Sequence, residues 1–479
     1  MGVFLTIFLY AVTSSVFFPV FQSLVFYKAC ISLSDRHNIT DISHCSRKEA
    51  AAKNADVHSL ANLILLTSST GLCITAFFTS RWIGHLSDVK SRKLAFLIPF
   101  AGLFITDLTV LVQVLWPTSS PYYFILSEVI YGLFGGYMSI TSCAFAIISS
   151  RYPDSNDRAK AISKLEGTIS FGSMVGFLIS SQLDRVEYLG MAFFFLAAHL
   201  IAFGSALLMK DIPKTSMVDT EKKKMVSICT GTQIFKNKPA ATKCNLKILY
   251  FSFACSYFAF IGSTRILFFY LKHKFYWGTE KYGYLKAINQ GMTTVMAMFM
   301  FPFLKTMGVS DVHLAMFGLA TRSIGRGWYA IAWNDYTVFL VVLCEMFSKF
   351  PATALRSLIS SNVGENERGS AFSLVAVIEA ACNLTSSWVF HSAFPLSLSF
   401  FPELSFVIMP VCILPALILM FTHRKSLYQS EHPALLPVSV QDEEVEEKKS
   451  LQAEPSLHQV STETDTLTDS SNAEEKEDL

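Results

Sequence analysis

The chain has 479 residues, of which 52% are apolar and only 16% are charged. Soluble globular proteins carry about 25% charged residues, so this composition argues against a water-soluble enzyme. Residues 423–479 hold 14 Asp and Glu against 5 Lys and Arg, which leaves 34 basic and 23 acidic residues for the rest. A long, apolar, basic body with a short acidic tail fits neither a nucleic-acid-binding protein nor a disulfide scaffold.

Long apolar runs recur through the body. A bilayer core of about 30 Å requires roughly 20 apolar residues per helix. The first run exceeds the apolar length of a secretory signal and lacks a basic start, so we predict that it is a retained span. The sequence therefore predicts an all-α membrane protein with twelve transmembrane helices, at residues 3–27, 57–80, 94–116, 122–150, 161–183, 188–209, 246–271, 282–304, 312–333, 336–360, 370–391 and 403–422.

The loops between these spans differ in their content of Lys and Arg. The loops at 81–93, 151–164 and 210–247 carry 4, 4 and 9, those at 28–56, 184–187 and 272–286 carry 5, 1 and 4, and those between spans 3 and 4, 9 and 10, and 11 and 12 carry none. The positive-inside rule places the first group of loops, and with it both chain ends, in the cytosol. The same orientation places the glycosylation sequon at Asn38 on the lumenal or outer side, where it can be used.

The first predicted loop, residues 28–56, also contains Cys30 and Cys45. Disulfides persist in oxidising compartments. The two cysteines would form a disulfide if this loop faces an oxidising lumen, and would remain free thiols if it does not. The sequence alone leaves both alternatives open.

The longest loop divides the chain into two halves. We predict that residues 210–247 form a flexible cytosolic linker between an N-terminal six-helix bundle, residues 1–209, and a C-terminal six-helix bundle, residues 248–422. Two halves joined in this way are typical of transporters whose substrate site lies between them near the middle of the membrane.

A charged turn follows the second span. It contains Gly84, Asp88, Arg92 and Lys93 in the stretch Gly-His-Leu-Ser-Asp-Val-Lys-Ser-Arg-Lys. This stretch resembles the G-x-L-x-D-x-x-G-R-[KR] loop of the major facilitator superfamily, with a serine in place of the second glycine. The resemblance implies a cytosolic gate in which Asp88 and Arg92 form ion pairs. The alternative is a plain basic loop that follows the positive-inside bias.

Two further stretches indicate a narrower family. Residues 351–379 contain Arg356 within Leu-Arg-Ser-Leu-Ile-Ser, and residues 157–166 form a basic turn that ends at Glu166. Both resemble the proton-coupled folate transporter and thymic stromal cotransporter family, which moves organic anions such as folates and steroid conjugates, usually with protons. Members often have an aspartate at the end of the fourth span, and this chain lacks it, so folate does not carry over as the substrate.

The tenth predicted span carries three charges. A charge at the membrane centre costs about 2.5–3.5 kcal/mol, so such residues should face the interior of the bundle. On a continuous helix, Glu345, Lys349 and Arg356 share one stripe, which predicts a substrate-binding face. Glu345 and Lys349 are four residues apart and can neutralise each other, which favours a mainly structural role for them over direct contact with substrate. Arg356 is left for an anionic substrate or for a carboxylate on another helix, or else reaches lipid headgroups.

Proton coupling requires a carboxylate that changes its charge between conformations. Glu166 and Glu379 are isolated carboxylates in apolar segments, and we place Glu166 first because the resemblance also points to it. Glu128 lies nearer the lumenal entrance of its span and is a further candidate, also as an outer gate. We expect His199 to be a packed core residue. Further charged residues that should face the interior of the bundle are Asp107, Arg265, Arg322 and Arg326.

The acidic tail, residues 423–479, is polar and rich in Ser and Thr, so we predict a disordered cytosolic segment. Glu431, Leu435 and Leu436 match the acidic dileucine pattern E-x-x-x-L-L, which clathrin adaptors recognise. This pattern would direct the protein to endosomes or lysosomes. Short patterns also arise by chance, which would leave the protein in the plasma membrane.

These observations favour a proton-coupled symporter of organic anions that works by alternating access. The expected partners are a small organic anion and the lipid bilayer, with protons as the coupling ion. We predict no catalytic residues, no metal or other cofactor, and no nucleic-acid binding. Three alternatives remain: a facilitator-like receptor or scaffold that does not transport, an uncoupled facilitator, and a drug/proton antiporter.

Overall fold

The computed structural model describes residues 2–36, 45, 52–151, 155–209, 235, 238–363 and 368–431. The regular elements in these ranges are all helical. They are α1 (Gly2–Arg36), α2 (Ala55–Val89), α3 (Arg92–Leu115), α4 (Tyr123–Leu133), α5 (Gly136–Arg151), α6 (Ser155–Ser180), α7 (Leu183–Leu207), α8 (Ala240–Phe275), α9 (Thr279–Val295), a π-helical turn (Met296–Met300), α10 (Phe301–Thr306), α11 (Asp311–Ile331), α12 (Asp335–Glu345), α13 (Phe350–Ser361), α14 (Arg368–Ser397), α15 (Leu404–Thr422) and α16 (Arg424–Glu431).

These helices form the twelve predicted spans and confirm the all-α membrane fold. The fourth span consists of α4 and α5, the eighth of α9, the π-helical turn and α10, and the tenth of α12 and α13. Among the described residues, ten spans are long and apolar enough to cross a membrane by length and composition. The other two are α6, which packs against α1 and α9, and α11, which packs against α13 and α15.

Two spans are broken near their middle. The break in the fourth span lies at Gly135 and Gly136, whose φ angles of 98° and 61° favour glycine. In the tenth span, α12 ends at Glu345 and α13 begins at Phe350. Pro351 in the first turn of α13 cannot donate the backbone hydrogen bond that would continue the helix. Glu345, Lys349 and Arg356 therefore do not share the regular stripe that a continuous helix would give them.

The helices pack mainly within two sets, α1–α7 and α8–α15. In the first set, α1 packs against α2, α6 and α7, while α3 packs against α4, α5 and α7. In the second set, α8 packs against α13, α14 and α15. The main contacts between the sets are those of α6 with α9 and of α2 with α14. Large apolar side chains such as Phe78, Phe299 and Ile331 are exposed on the outside, where lipid would cover them.

The two sets meet at the ends of the helices that are predicted to face the lumen. There the side chains of Asn62 in α2 and His391 in α14 lie 2.7 Å apart. The amide of Gln182, just after α6, donates to the hydroxyl of Tyr284 in α9 at 3.3 Å. These polar contacts join the two sets at this end.

The first predicted loop differs from the structure at its start. Helix α1 continues to Arg36, well beyond residue 27, so Cys30 lies within a helix. Its sulfur is bonded to that of Cys45, with an S–S distance of 2.03 Å. Asn38, the predicted glycosylation site, lies outside the described residues.

The same extension buries Lys28, which the orientation argument had counted as a loop residue. Its ammonium group donates to the backbone oxygens of Gln113 and Trp116, at 3.1 and 2.8 Å, and to the hydroxyl of Ser119 at 2.7 Å. Carbonyl groups in the last turn of a helix lack intrahelical partners. Lys28 thus caps the end of α3 and fastens it to α1.

Two predicted boundaries also need correction. The last eight residues of the predicted linker, 240–247, belong to α8. The predicted disordered tail begins too early, because Arg424–Glu431 forms the helix α16. This helix is held by the fully buried side chain of Leu427 and by a 3.0 Å hydrogen bond from Ser426 to Asn245. Leu435 and Leu436 lie outside the described residues, so the predicted sorting signal stays a prediction.

Candidate functional site

A cavity of about 410 Å³ lies between the two helix sets. Its wall comes from α1 to α7 and, on the opposite side, from α8 and α14. Eight aromatic rings give the wall a largely apolar surface; they belong to Tyr10, Phe17, Phe18, Phe21, Tyr131, Tyr137, Phe177 and Tyr257. The ionisable side chains that carry charge or can acquire it near neutral pH are Asp107, Glu128, His199, Arg265 and His391.

Arg265 supplies the guanidinium of the cavity wall. One of its nitrogens donates to the side-chain oxygen of Asn383 at 2.6 Å, and the Asn383 amide donates to the hydroxyl of Tyr137. The side-chain amide of Gln22 donates to the backbone oxygen of Arg265 at 3.0 Å. These bonds link α8 to α14, α5 and α1, so the position of Arg265 depends on both helix sets.

Glu128 in α4 is the carboxylate that faces this guanidinium. Its side chain is only 7% exposed and lines the cavity. None of the described residues donates a hydrogen bond to its carboxyl group, while Arg265 attracts it electrostatically. A buried carboxylate without hydrogen-bond donors depends on that one cation, or on a proton, for its stability.

A second ionisable group in the wall is a buried pair from α3 and α7. The Nδ1 atom of His199 lies 2.6 Å from Oδ2 of Asp107, and its Nε2 atom lies 2.8 Å from the hydroxyl oxygen of Thr13 in α1. The expectation that His199 is merely a packed core residue was therefore incomplete. Its position among apolar residues gave no indication of a carboxylate on another helix.

The tenth-span residues predicted to bind substrate lie elsewhere. The carboxylate of Glu345 forms an ion pair with Arg326 in α11 and accepts a hydrogen bond from Asn289 in α9. Glu345 and Arg326 are both buried. The predicted neutralisation of Glu345 by Lys349 was wrong, because the helix ends at Glu345 and the regular four-residue spacing is lost.

The break in the tenth span has its own polar partners. Arg322 in α11 donates to the backbone oxygen of Ser348, which lies within the break, and to Ser256 in α8. The ammonium group of Lys349 donates to the hydroxyls of Ser170 in α6 and Thr294 in α9, at 3.1 and 3.2 Å. Lys349, which directly precedes α13, therefore connects that helix to α6 of the first set and to α9 of the second.

Arg356 pairs with a carboxylate on another helix, which was one of its predicted alternatives. It forms an ion pair with Glu379 in α14, and the two side chains are 43% and 24% exposed. Glu166 lies in α6 and is exposed. In the described part of the chain, none of these three residues lines the cavity. Their predicted roles in substrate binding and proton coupling stay predictions.

The residues of the facilitator motif lie where α2 passes into α3. Gly84 and Asp88 fall within α2, so most of the predicted loop is helical. Arg92 donates to the backbone oxygen of Ala146 at 2.7 Å, and Lys93 donates to that of Leu207. Both bonds fasten the start of α3 to the ends of α5 and α7. The predicted ion-pair gate stays a prediction, since the side chain of Asp88 is not described.

Comparison with known proteins gives a consistent picture. The model of the Major Facilitator Superfamily matches residues 3–385. The lysosomal proton-coupled steroid conjugate and bile acid symporter of Gallus gallus is 24% identical over 435 residues, which are 85% of this chain and 91% of that protein. The proton-coupled folate transporter of Rattus norvegicus is 22% identical over 376 residues, which are 76% of this chain and 79% of that protein. The predicted resemblance to the major facilitator superfamily, and within it to the family of the proton-coupled folate transporter, is confirmed.

Solved structures show the same fold. The nucleoside transporter NupG superposes with a TM-score of 0.66 at 14% identity, covering 89% of this chain and 98% of that one. The human organic anion transporter MFSD10 gives a TM-score of 0.58 at 13% identity, covering 88% of this chain and 98% of that one. These likenesses concern the arrangement of helices, not the substrate.

Proposed function

The chain belongs to the Major Facilitator Superfamily of membrane transporters, and on that premise we propose that it carries amphipathic organic anions together with protons. The observation that carries this proposal is that Glu128 and Arg265 line the same aromatic cavity, where Arg265 attracts the Glu128 carboxylate electrostatically. The superfamily consists of transporters, so the chain is a multi-pass membrane transporter and not an enzyme.

The chemistry of the cavity supports an anion with a flat, apolar body. Aromatic rings and aliphatic side chains cover most of the wall, and they favour apolar surface over water. Among the described lining residues, Arg265 is the single permanently charged cation. A planar guanidinium binds sulfate and carboxylate groups through paired hydrogen bonds. A steroid bearing one sulfate or carboxylate group fits this combination better than a compact, highly charged metabolite.

Glu128 couples this anion to a proton through competition for Arg265. When Glu128 is ionised, its charge satisfies Arg265 and repels a second anion. When a proton neutralises Glu128, the guanidinium becomes free to attract the substrate. Substrate and proton therefore favour each other's binding. The proton neutralises Glu128, which would repel the substrate anion, and the anion compensates Arg265, which the protonated Glu128 no longer does.

Alternating access would expose this cavity to the two sides of the membrane in turn. The contacts between α2 and α14 and between α6 and α9 join the two sets at the end predicted to be lumenal. We propose that the sets α1–α7 and α8–α15 rock about the cavity as two bundles, breaking these contacts to admit substrate. An acidic lumen, as in lysosomes or endosomes, would then drive export into the cytosol. Residence in the plasma membrane remains the alternative.

Substitution Glu128→Gln tests the coupling. In proteoliposomes with an inward gradient of one pH unit, each coupled proton contributes a factor of about ten to the final accumulation of substrate. We expect wild-type protein to accumulate a radiolabelled steroid sulfate when the gradient is present and not when it is absent. We expect Glu128→Gln to lose about tenfold of this accumulation, since Arg265 is then free at every pH.

Glu166→Gln is the matched comparison, because it neutralises the carboxylate that the sequence favours but that lies outside the cavity wall. The mechanism proposed here expects it to keep the full gradient response. If Glu166→Gln loses the response and Glu128→Gln keeps it, the coupling carboxylate is Glu166. If wild-type protein ignores the gradient, it is an uncoupled facilitator, and if no uptake occurs, the proposed substrate class is wrong.

A further inference from the structure

The proposed coupling uses Glu128 and leaves the buried pair of Asp107 and His199 without a role. Both side chains are almost fully buried, with exposures of 1% and 4%, yet both line the cavity. Burying a carboxylate and an imidazole at the membrane centre is unfavourable unless their hydrogen bonds are complete. The hydrogen bonds around this pair therefore limit how many protons it can hold.

Thr13 can satisfy one imidazole nitrogen in either protonation state. Its hydroxyl oxygen lies 3.0 Å from the backbone oxygens of both Leu9 and Tyr10 and 2.8 Å from Nε2 of His199. When Nε2 carries a proton, the hydroxyl accepts from it and donates to one of these carbonyls. When Nε2 carries none, the hydroxyl donates to Nε2.

The contact with Asp107 requires a proton of its own. A bare Nδ1 lone pair and an ionised carboxylate would repel each other at the observed 2.6 Å. A proton between the two atoms removes the repulsion, whether it is bonded to Nδ1 or to the carboxyl oxygen. With that proton in place, the net charge of the pair is minus one when Nε2 is unprotonated and zero when Nε2 carries a second proton.

We propose that Asp107 and His199 form a second proton-binding site of the cavity, separate from Glu128. In the loaded state, Nε2–H donates to Thr13. When the proton leaves Nε2, the remaining N–H stays on Nδ1 toward Asp107, and the hydroxyl of Thr13 rotates from its own helix carbonyls to donate to Nε2. One N–H bond breaks, one proton passes to water in the cavity, and no other bond changes.

The surroundings of the pair do not fix its charge. The other titratable or charged residues of the cavity wall are Tyr10, Cys73, Glu128, Tyr131, Tyr137, Arg265 and His391. The tyrosines and the cysteine are neutral at physiological pH. While Glu128 is ionised, its charge offsets that of Arg265, and His391 lies against the amide oxygen of Asn62. Once Glu128 is protonated, Arg265 is an uncompensated positive charge of the wall until the substrate anion binds. The proton on the pair therefore responds to the pH of the compartment to which the cavity opens and to the protonation of Glu128.

This inference rests on the proposed function for its consequence, since two sites predict that two protons accompany each substrate. Its first test needs no substrate. Full-length protein in lipid nanodiscs is shifted from about pH 8 to pH 5, the range in which histidine titrates, and the bound protons are counted with a pH dye. We expect His199→Gln to bind about one proton fewer than wild type.

His391→Gln provides the matched control, because His391 is also a buried histidine of the cavity wall but contacts an amide rather than a carboxylate. We expect it to bind the wild-type number of protons. Asp107→Asn should lose the same single proton as His199→Gln, and it replaces that variant if His199→Gln fails to fold. Wild-type proton binding by His199→Gln or Asp107→Asn would overturn the proposal, as would an equal loss in His391→Gln.

A second measurement separates this inference from the proposed function. In proteoliposomes with a gradient of one pH unit, His199→Gln should accumulate about tenfold less steroid sulfate than wild type. If the proton count falls but gradient-driven accumulation is unchanged, the pair binds a proton that is not transported, which contradicts its place in coupling. If wild-type protein itself ignores the gradient, the proposed function fails while the proton count still tests the site.

Discussion

Replacing Arg265 with alanine should raise the substrate concentration that half-saturates uptake by about 30- to 150-fold. A hydrogen bond to a charged group contributes about 2–3 kcal/mol in a buried site, and 1.4 kcal/mol corresponds to a factor of ten. Arg265 is the permanent cation of the described cavity wall, so its loss also leaves Glu128 without an opposite charge. Initial uptake of radiolabelled steroid sulfate into proteoliposomes, measured over a range of concentrations, gives this value directly.

Two further variants show whether the loss of affinity in Arg265→Ala reflects direct binding of the anion by the guanidinium. Arg265→Lys retains the charge but loses the planar fork, so we expect a loss of about tenfold. Arg356→Ala removes the arginine that the sequence favoured, which is paired with Glu379 away from the cavity. We expect its effect to be less than about threefold. A larger loss in Arg356→Ala than in Arg265→Ala would move the anion site to the tenth span.

Substitution Arg326→Leu should destabilise the second helix set by about 3–5 kcal/mol. Removing one partner of a buried ion pair leaves an uncompensated charge, and such substitutions are among the most damaging. Among the hydrogen bonds of the described residues, Glu345 would retain the one from Asn289 in α9. We expect a clear fall in the thermal unfolding temperature of the purified protein in nanodiscs, together with a lower yield.

The double substitution Arg326→Leu with Glu345→Leu removes both charges and should recover much of this loss, because no buried charge then remains. Lys281→Ala serves as the control. It breaks the ion pair with Asp335, whose side chains are 52% and 38% exposed, so we expect a change of at most about 1 kcal/mol. Equal destabilisation by Arg326→Leu and Lys281→Ala would show that the buried pair has no special structural role.

The helices could be predicted from the sequence because their length follows from the thickness of the bilayer. Every predicted span corresponds to helical structure, although several helices extend further, as α1 does to Arg36. The sequence did not determine whether the fourth and tenth spans would be broken. Glycine at 135 and 136 and proline at 351 are each tolerated within transmembrane helices, because neighbouring helices can satisfy the freed backbone groups.

The partners of the charged residues were the least predictable part. The expected pair of Glu345 and Lys349 depended on spacing within one helix, whereas the actual partner, Arg326, belongs to another helix. His199 and Asp107 are separated by 92 positions and meet only because α3 packs against α7. The sequence did identify Glu128, Asp107 and Arg265 as charges within spans. It could not indicate that these three share one cavity, because that depends on how each helix is rotated about its axis.

The central claim is that an organic anion crosses the cavity together with protons. It is tested most directly by adding steroid sulfate to the outside of wild-type proteoliposomes at equal pH on both sides, with the membrane potential clamped, while an internal dye reports pH. The account predicts that the interior becomes more acidic as the substrate enters. Entry of substrate without any change of internal pH, or with a rise in internal pH, would contradict it and would favour facilitated diffusion or antiport.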